Sequence, residues 1–189
     1  GSHALRLIEI TGLGLIPSYF WIDHDERVFA SVSSWLTIIE EVNASLSESL
    51  LAVQTEKENA FFTRLAKELT QTPTGITVIK NVNLFDSNAA ELIGRQSVVI
   101  EGNIIKEIMS ADSPLPENAT TIDGTGKTLL PGLFDNHCHV QRVDGLLHLA
   151  AGVTAVRDMA NSPKLLELRK DFDQNISIGP RVVTMAGFI

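Results

Sequence analysis

The first clear pattern along the chain is a pair of short apolar runs on either side of a polar turn. The sequence SYFWIDHDERVFASVS, residues 18–33, places aromatic or β-branched residues before and after Asp23 to Glu26. Such a pair predicts a β-hairpin with its turn at Asp23 to Glu26. Residues 45–70 then carry leucines, phenylalanines and a valine at helical spacing among Glu, Lys and Gln. This spacing predicts one long helix or two short ones.

The best internal boundary follows directly, in the run TQTPTG at residues 70–75. Pro73 disfavours continuation of a helix and Gly75 frees the backbone, so the helical region should end here. From Ile76 onward the chain changes to short β-branched runs, ITVIKNVNLFD and SVVIEGNIIKEIM, with a tight turn at residues 101–103. These runs predict a small antiparallel sheet, to which TTID adds one more strand before a Gly-rich turn.

From residue 128 the predicted order becomes strand, helix, strand, helix, strand, which is typical of parallel α/β units. We predict a buried strand at 128–136, a helix at 144–152, a strand at 153–159, a helix at 162–173 and a strand at 181–189. Ser162 is placed to cap the second helix, with Pro163 in its first turn. The fold class is therefore α/β over this region.

These patterns divide the chain into four segments. Residues 1–4 are interpreted as the remnant of an expression tag, 5–70 as a hairpin and helical extension, 76–127 as a β-sheet region and 128–189 as the α/β region.

Composition narrows the classes of partner. The 189 residues are 44% hydrophobic and carry a net charge of -8 with scattered basic residues, which argues against a nucleic-acid-binding surface. No apolar run approaches the roughly 18 residues that span a bilayer, so no membrane partner is expected. The single cysteine, Cys138, excludes an internal disulfide but leaves the cellular compartment open.

The strongest candidate for chemistry is the triplet His137, Cys138, His139 at the end of the strand TLLPGLF. Side chains alternate along a strand, so the two histidines should point the same way and Cys138 the opposite way. Parallel α/β proteins place their active sites at this carboxyl end of the strands. Two imidazoles there predict a divalent metal site, with zinc as the default among the metals that imidazole suits.

Three blocks of sequence resemble the opening of the amidohydrolase superfamily: VVIEGNIIKEI, DGTGKTLLPGLFDNHCHV and GVTAVRDM. Their wording is most similar to the imidazolonepropionase-like and prolidase-like branch. The resemblance extends over at least residues 76–189, and residues 13–70 resemble an N-terminal extension of some such proteins.

The resemblance implies a (β/α)8 barrel flanked by a small β-sandwich, with one or two divalent ions. In that family a metal-activated water hydrolyses a C–N bond of a small-molecule substrate, namely a cyclic amide, an imide or a peptide-like compound. His137 and His139 would bind the more buried metal. The other ligands, a Lys or Glu, two His and an Asp that also carries the proton, are expected beyond residue 189. Because such a barrel takes on the order of 250 residues, residues 128–189 are expected to supply its first three strands. The isolated chain is then expected to be inactive.

Two alternatives remain open. One is a deaminase of the same superfamily, which uses a similar first strand. The other is a structural module without metal, which elemental analysis of protein purified without added metal would distinguish. The apolar edge from Val182 to Ile189 also predicts a homo-oligomer or self-association through unpaired strands.

Two acidic residues are candidates for supporting roles. Asp135 precedes the histidines and could orient one of their imidazoles, or it is a polar strand end. Asp158, near the end of VTAVRDM, is expected to line the pocket mouth, to cap a helix, or to form a salt bridge with Arg157 or another neighbour.

Other polar residues have simpler interpretations. Cys138 is predicted to pack in the core, His148 to be a packed or surface residue and His24 to be exposed in the hairpin turn. The glycines of DGTGKT, Gly124 and Gly126, lack the spacing of a phosphate-binding loop.

Overall fold

A computed structural model describes residues 4–187 of the chain. Within that range the strands form three sheets and the chain has three α-helices. Residues 1–3, most of the predicted tag remnant, and residues 188–189, the end of the last predicted strand, lie outside the described residues.

The first sheet is an antiparallel meander in chain order. Its strands are β1 (Arg6–Ile10), β2 (Ser18–Ile22), β3 (Val28–Val32) and β4 (Thr37–Ile39). The predicted hairpin is β2 and β3, and its turn is held by the Asp23 carboxylate, which accepts the backbone N–H groups of Asp25 and Arg27 at 2.9 Å each.

A single long helix follows the first sheet. A 3-10 helix (Glu41–Leu46) leads directly into α1 (Ser47–Leu69). Leu50 of α1 is buried in a small core with Trp21, Ala30 and Val32, and this apolar contact holds the helix against the sheet. The helix ends where predicted, before Pro73.

The second sheet is mixed. It contains β5 (Ile76–Asp86), β6 (Glu91–Glu101), β7 (Ile104–Ser110), β8 (Thr120–Asp123) and β9 (Thr128–Leu129). The first three strands are antiparallel as predicted, whereas β8 and β9 both pair with β5 in parallel. Valines 78, 82, 98 and 99 are its buried apolar side chains. The β-sandwich stays a prediction.

The third sheet carries the candidate site and is parallel, in the order β10, β11, β12. Its elements are β10 (Leu133–Cys138), α2 (Asp144–Ala150), β11 (Val153–Asn161), α3 (Leu165–Asp173) and β12 (Arg181–Gly187). Its core contains Val140 from the loop after β10, together with the strand and helix residues Val156, Leu165, Leu168, Phe172 and Val182. The α/β class is confirmed, and closure into a barrel stays a prediction.

The strand predicted over residues 128–136 is wrong in its extent. Residues 128–129 belong to the second sheet and residues 133–138 to the third, with Pro131 between them. Proline has no N–H for a strand ladder, so the chain can change sheets at this point. The strand is not buried either, because Leu133 is 54% and Phe134 45% exposed.

The predicted start of α3 is also wrong. Lys164 occupies the N-cap position and no side chain caps the helix. Ser162 does not cap α3 with its side chain because it lies before that position. Its backbone N–H instead donates to the side-chain oxygen of Asn161 at 2.8 Å.

Two further properties concern partners. β12 is an edge strand among the described residues, and self-association through it stays a prediction. In the described part of the chain, no helix combines the length and the apolar character that crossing a membrane requires.

Candidate metal centre

The two histidines stand together at the carboxyl end of β10. Their ring centres are 5.6 Å apart and the rings meet edge to face at 86°. Both side chains are exposed. Two imidazoles on one tetrahedral zinc, with Zn–N bonds of about 2.0–2.1 Å, have ring centres about 5 Å apart. The donor set and the spacing of this histidine pair, His137 and His139, therefore fit a shared divalent ion.

Two side chains of β11 hold the backbone just after the histidine pair. Asp158 is fully buried, and one of its carboxylate oxygens accepts the backbone N–H of Val140 at 2.7 Å. The Asn161 side-chain amide donates to the Val140 carbonyl at 3.1 Å and to the same Asp158 oxygen at 3.0 Å. Both polar groups of the Val140 peptide backbone are thus satisfied by two side chains. Asp158 acts here as a buried backbone anchor.

The backbone just before the pair is held by a third residue of β11. The Arg157 guanidinium donates from Nε to the Asn136 carbonyl at 2.8 Å. Asp135 adds a local contact, because its Oδ1 accepts the backbone N–H of His137 at 2.9 Å. The strand end that presents the histidine pair is therefore tied to its neighbour on both sides.

Asp135 also faces α2. Its Oδ2 lies 3.9 Å from Nε2 of His148, a half-buried residue of that helix. Regular alternation would separate Asp135 from Cys138, but the pairing of β10 with β11 shifts register between these two residues. One potential ligand atom each from Asp135, Cys138 and His148 consequently lies within 4.8 Å of the others. This cluster could not be predicted from the sequence, because the register shift arises only when the two strands pair.

Cys138 packs against the core of the third sheet, as predicted. Its thiol lies 3.6 Å from the Arg157 carbonyl. Burial, and after it the negative charges of Asp135, Asp158 and Asp144, raise the pKa of the Cys138 thiol to about 11. The thiol is therefore protonated near neutral pH, which argues against a nucleophilic role.

The remaining residues singled out in the sequence, one histidine and two glycines, have local structural roles. His24 is exposed beside Asp25 in the hairpin turn. Gly126 has a φ of +76°, which favours glycine. A side chain at Gly124 would meet Val82 at 2.2 Å. Close packing and turn geometry account for these glycines.

Comparison with known proteins gives partial matches. No family model matches the chain. A Xaa-Pro dipeptidase with methionine bound in its active site superposes with a TM-score of 0.55 and 26% identity, over 61% of this chain and 34% of that one. A prolidase complexed with N-methylphosphonate-L-proline gives a TM-score of 0.51 and 28% identity, over 59% and 32%. A 5'-deoxyadenosine deaminase from Methanocaldococcus jannaschii is 46% identical over 46 residues, which are 24% of this chain and 11% of the deaminase.

These matches come from separate comparisons of sequence and of structure. The chain spans about a third of the solved structures that it resembles. The similarities confirm the resemblance to prolidase-like members of the amidohydrolase superfamily.

Proposed function

We propose that this chain, which resembles the amidohydrolase superfamily in sequence and in fold, is part of a metal-dependent hydrolase that cleaves a C–N bond. The observation that carries the proposal is the histidine pair at the carboxyl end of β10, with ring centres 5.6 Å apart. Similarity to solved prolidase and dipeptidase structures supports the choice of bond.

His137 and His139 would hold the ion, for which zinc is the first choice because imidazole is among its usual ligands. When bound, a divalent ion polarises a carbonyl oxygen and lowers the pKa of water, which supplies the nucleophile for hydrolysis. Catalytic zinc usually takes three protein ligands and a water. The histidine pair supplies two of these ligands, so at least one further protein ligand is required.

The protein's own residues contribute positioning. Asp158 and Asn161 hold the backbone on the carboxyl side of the pair, and Arg157 holds it on the amino side. These contacts act on the backbone of the strand end, so they fix the position from which the two imidazole rings project. Fixing ligands before a metal or substrate arrives reduces the ordering that binding requires.

A peptide-like substrate is the first choice, because two of the similar structures are a Xaa-Pro dipeptidase and a prolidase. A deaminase is the second candidate, since the 46-residue match to a 5'-deoxyadenosine deaminase has the higher identity. Parallel assays with a Xaa-Pro dipeptide and with 5'-deoxyadenosine separate the two.

The test uses the protein encoded by the complete reading frame, loaded with zinc. Changes to the residues around metal ligands cost about 10–100-fold in activity. The double substitution His137→Asn and His139→Asn removes the proposed ligands themselves, so it should reduce the rate of hydrolysis by a larger factor. His24→Asn, at an exposed turn, is the matched control and should leave the rate unchanged. Full activity in the double variant would refute the proposal. The 189-residue chain alone should be inactive with both substrates, and turnover by it would contradict the ligand count.

A further inference from the structure

A second group of potential metal ligands lies between β10 and α2. It consists of Asp135, Cys138 and His148, here called the Asp–Cys–His cluster, and all three side chains are half-buried. Cys138 packs against the core between strands and helices, whereas the neighbouring histidine pair is exposed. The cluster is therefore separate from that pair, although both use residues of the same strand end.

The ring of His148 is oriented so that one nitrogen can bind a metal. Its Nδ1 lies 2.8 Å from the backbone carbonyl of Asp144. A carbonyl oxygen only accepts hydrogen bonds, so Nδ1 carries the hydrogen and Nε2 is the nitrogen left for other partners. A backbone carbonyl that fixes the ring through the second nitrogen is the usual arrangement behind a metal-binding histidine. The free Nε2 is the atom that faces Asp135, at 3.9 Å.

Asp135 and Cys138 each retain a donor atom toward His148. One carboxylate oxygen of Asp135 is occupied by the His137 backbone N–H, which leaves the second oxygen for a cation. Among the hydrogen bonds of the described residues, the Cys138 thiol makes a long one, to the Arg157 carbonyl at 3.6 Å. The carboxylates of Asp144 and Asp158 add negative charge around the sulfur, which favours a cation.

We propose that Asp135, Cys138 and His148 form a second cation site for a borderline divalent transition metal such as zinc or cobalt. Sulfur and imidazole donors select such metals over magnesium and calcium, which prefer oxygen. Three protein ligands leave a fourth position to water. The ligand atoms lie within 4.8 Å of one another, so they must approach by about 1 Å to reach tetrahedral zinc distances. Binding transfers the thiol proton to solvent. This site does not depend on the proposed hydrolase.

The experiment exploits the fact that the chain has a single cysteine. Cobalt(II) is titrated into the purified chain carrying His137→Asn and His139→Asn, and the sulfur-to-cobalt charge-transfer absorption in the near ultraviolet is recorded. The band should grow to saturation at one equivalent, because only Cys138 can produce it. Cys138→Ser should abolish the band. His148→Gln and Asp135→Asn should each weaken cobalt binding at least about tenfold, whereas His24→Gln should not change it.

Three results would overturn the second site. They are the absence of the band in the double histidine variant, a cobalt affinity unchanged by His148→Gln, and a band that survives Cys138→Ser. Circular dichroism establishes that each variant is folded. If the histidine pair does not bind zinc but the cobalt band is present in the double histidine variant, the proposed hydrolase is overturned and the second site is retained.

Discussion

The buried carboxylate of Asp158 accepts the backbone N–H of Val140, the residue that follows His139, at 2.7 Å. This contact joins the carboxyl end of β11 to the carboxyl end of β10, where the histidine pair is presented. Asn161 completes the arrangement by donating to both partners. The geometry of the candidate metal centre therefore depends on a side chain that is not itself one of its proposed ligands.

Removal of this anchor should destabilise the chain. Asp158→Ala leaves the Val140 N–H and the Asn161 amide without their acceptor, at a cost of about 2–4 kcal/mol in the free energy of unfolding. Asp158→Asn keeps the shape and one acceptor, so its cost should be smaller, about 1–2 kcal/mol. Urea denaturation measures both values.

The matched control for the anchor is Asp112→Ala, which removes an exposed ion pair with Arg95. Exposed pairs contribute about 0–1 kcal/mol, so this variant should unfold close to the wild type. Equal stabilities of Asp158→Ala and Asp112→Ala would mean that the buried contact does not anchor the strand end.

Thiol reactivity tests the environment of Cys138. Because burial and nearby carboxylates raise the pKa of this thiol to about 11, alkylation near pH 8 should be on the order of a hundredfold slower than for a free thiol of ordinary pKa about 8.5. The rate should rise steadily toward pH 11 and increase sharply when the chain is unfolded in urea. Alkylation of the folded chain at the rate of the unfolded chain would contradict this description.

Acid sensitivity should arise in part at Asp123. Hydrogen bonds from Asn81 first, and then from Thr125, lower the pKa of this carboxyl below its ordinary 3.8. A lowered folded pKa stabilises the fold above the unfolded value, and this contribution is lost as the pH falls through the folded pKa.

Asp123→Asn should therefore flatten the loss of stability on the acid side. The urea midpoints of the two proteins are compared between about pH 2 and pH 5. Their difference should shrink as the pH falls, and curves that run parallel over this range would show that Asp123 does not contribute.

Glycine is required in α2 for close packing. An added Cβ at Gly145 would lie 2.2 Å from the Ile178 carbonyl oxygen and 2.9 Å from the Phe172 ring. Alanine is ordinarily better than glycine in a helix by about 0.5–1 kcal/mol. Gly145→Ala should nevertheless destabilise by about 1–3 kcal/mol, because the neighbouring backbone must move.

The control for this packing is Gly14→Ala, where the nearest atom to an added Cβ is 3.9 Å away. Thermal unfolding of both variants gives the comparison. A stabilised Gly145→Ala protein would show that helix preference outweighs the close contact.

Local patterns predicted much of the fold. The β2–β3 hairpin, the helix before Pro73 and the strand–helix order after residue 133 follow from periodicity and turn residues, which act over short distances. The predicted strand over residues 128–136 failed because its apolar run continues through Pro131. Only the pairing of β9 with β5 shows that the chain changes sheets there.

The arrangement of side chains around the candidate site was predictable only in part. Strand alternation separated Cys138 from the histidines, and the structure agrees. It could not bring Asp135 to His148, because this contact depends on a register shift between paired strands. It also could not identify Asp158 as the anchor of Val140, since that contact spans 18 residues and forms only when β11 pairs with β10.

The most direct test of the central claim is a zinc titration of the metal-free chain by isothermal calorimetry, in a Cys138→Ser background that removes the second site. The histidine pair should bind one equivalent of zinc, and His137→Asn with His139→Asn should abolish this binding while His24→Asn leaves it unchanged. Two results would contradict the account. One is zinc binding that persists undiminished in the double histidine variant, and the other is the absence of zinc binding in the Cys138→Ser protein that retains both histidines.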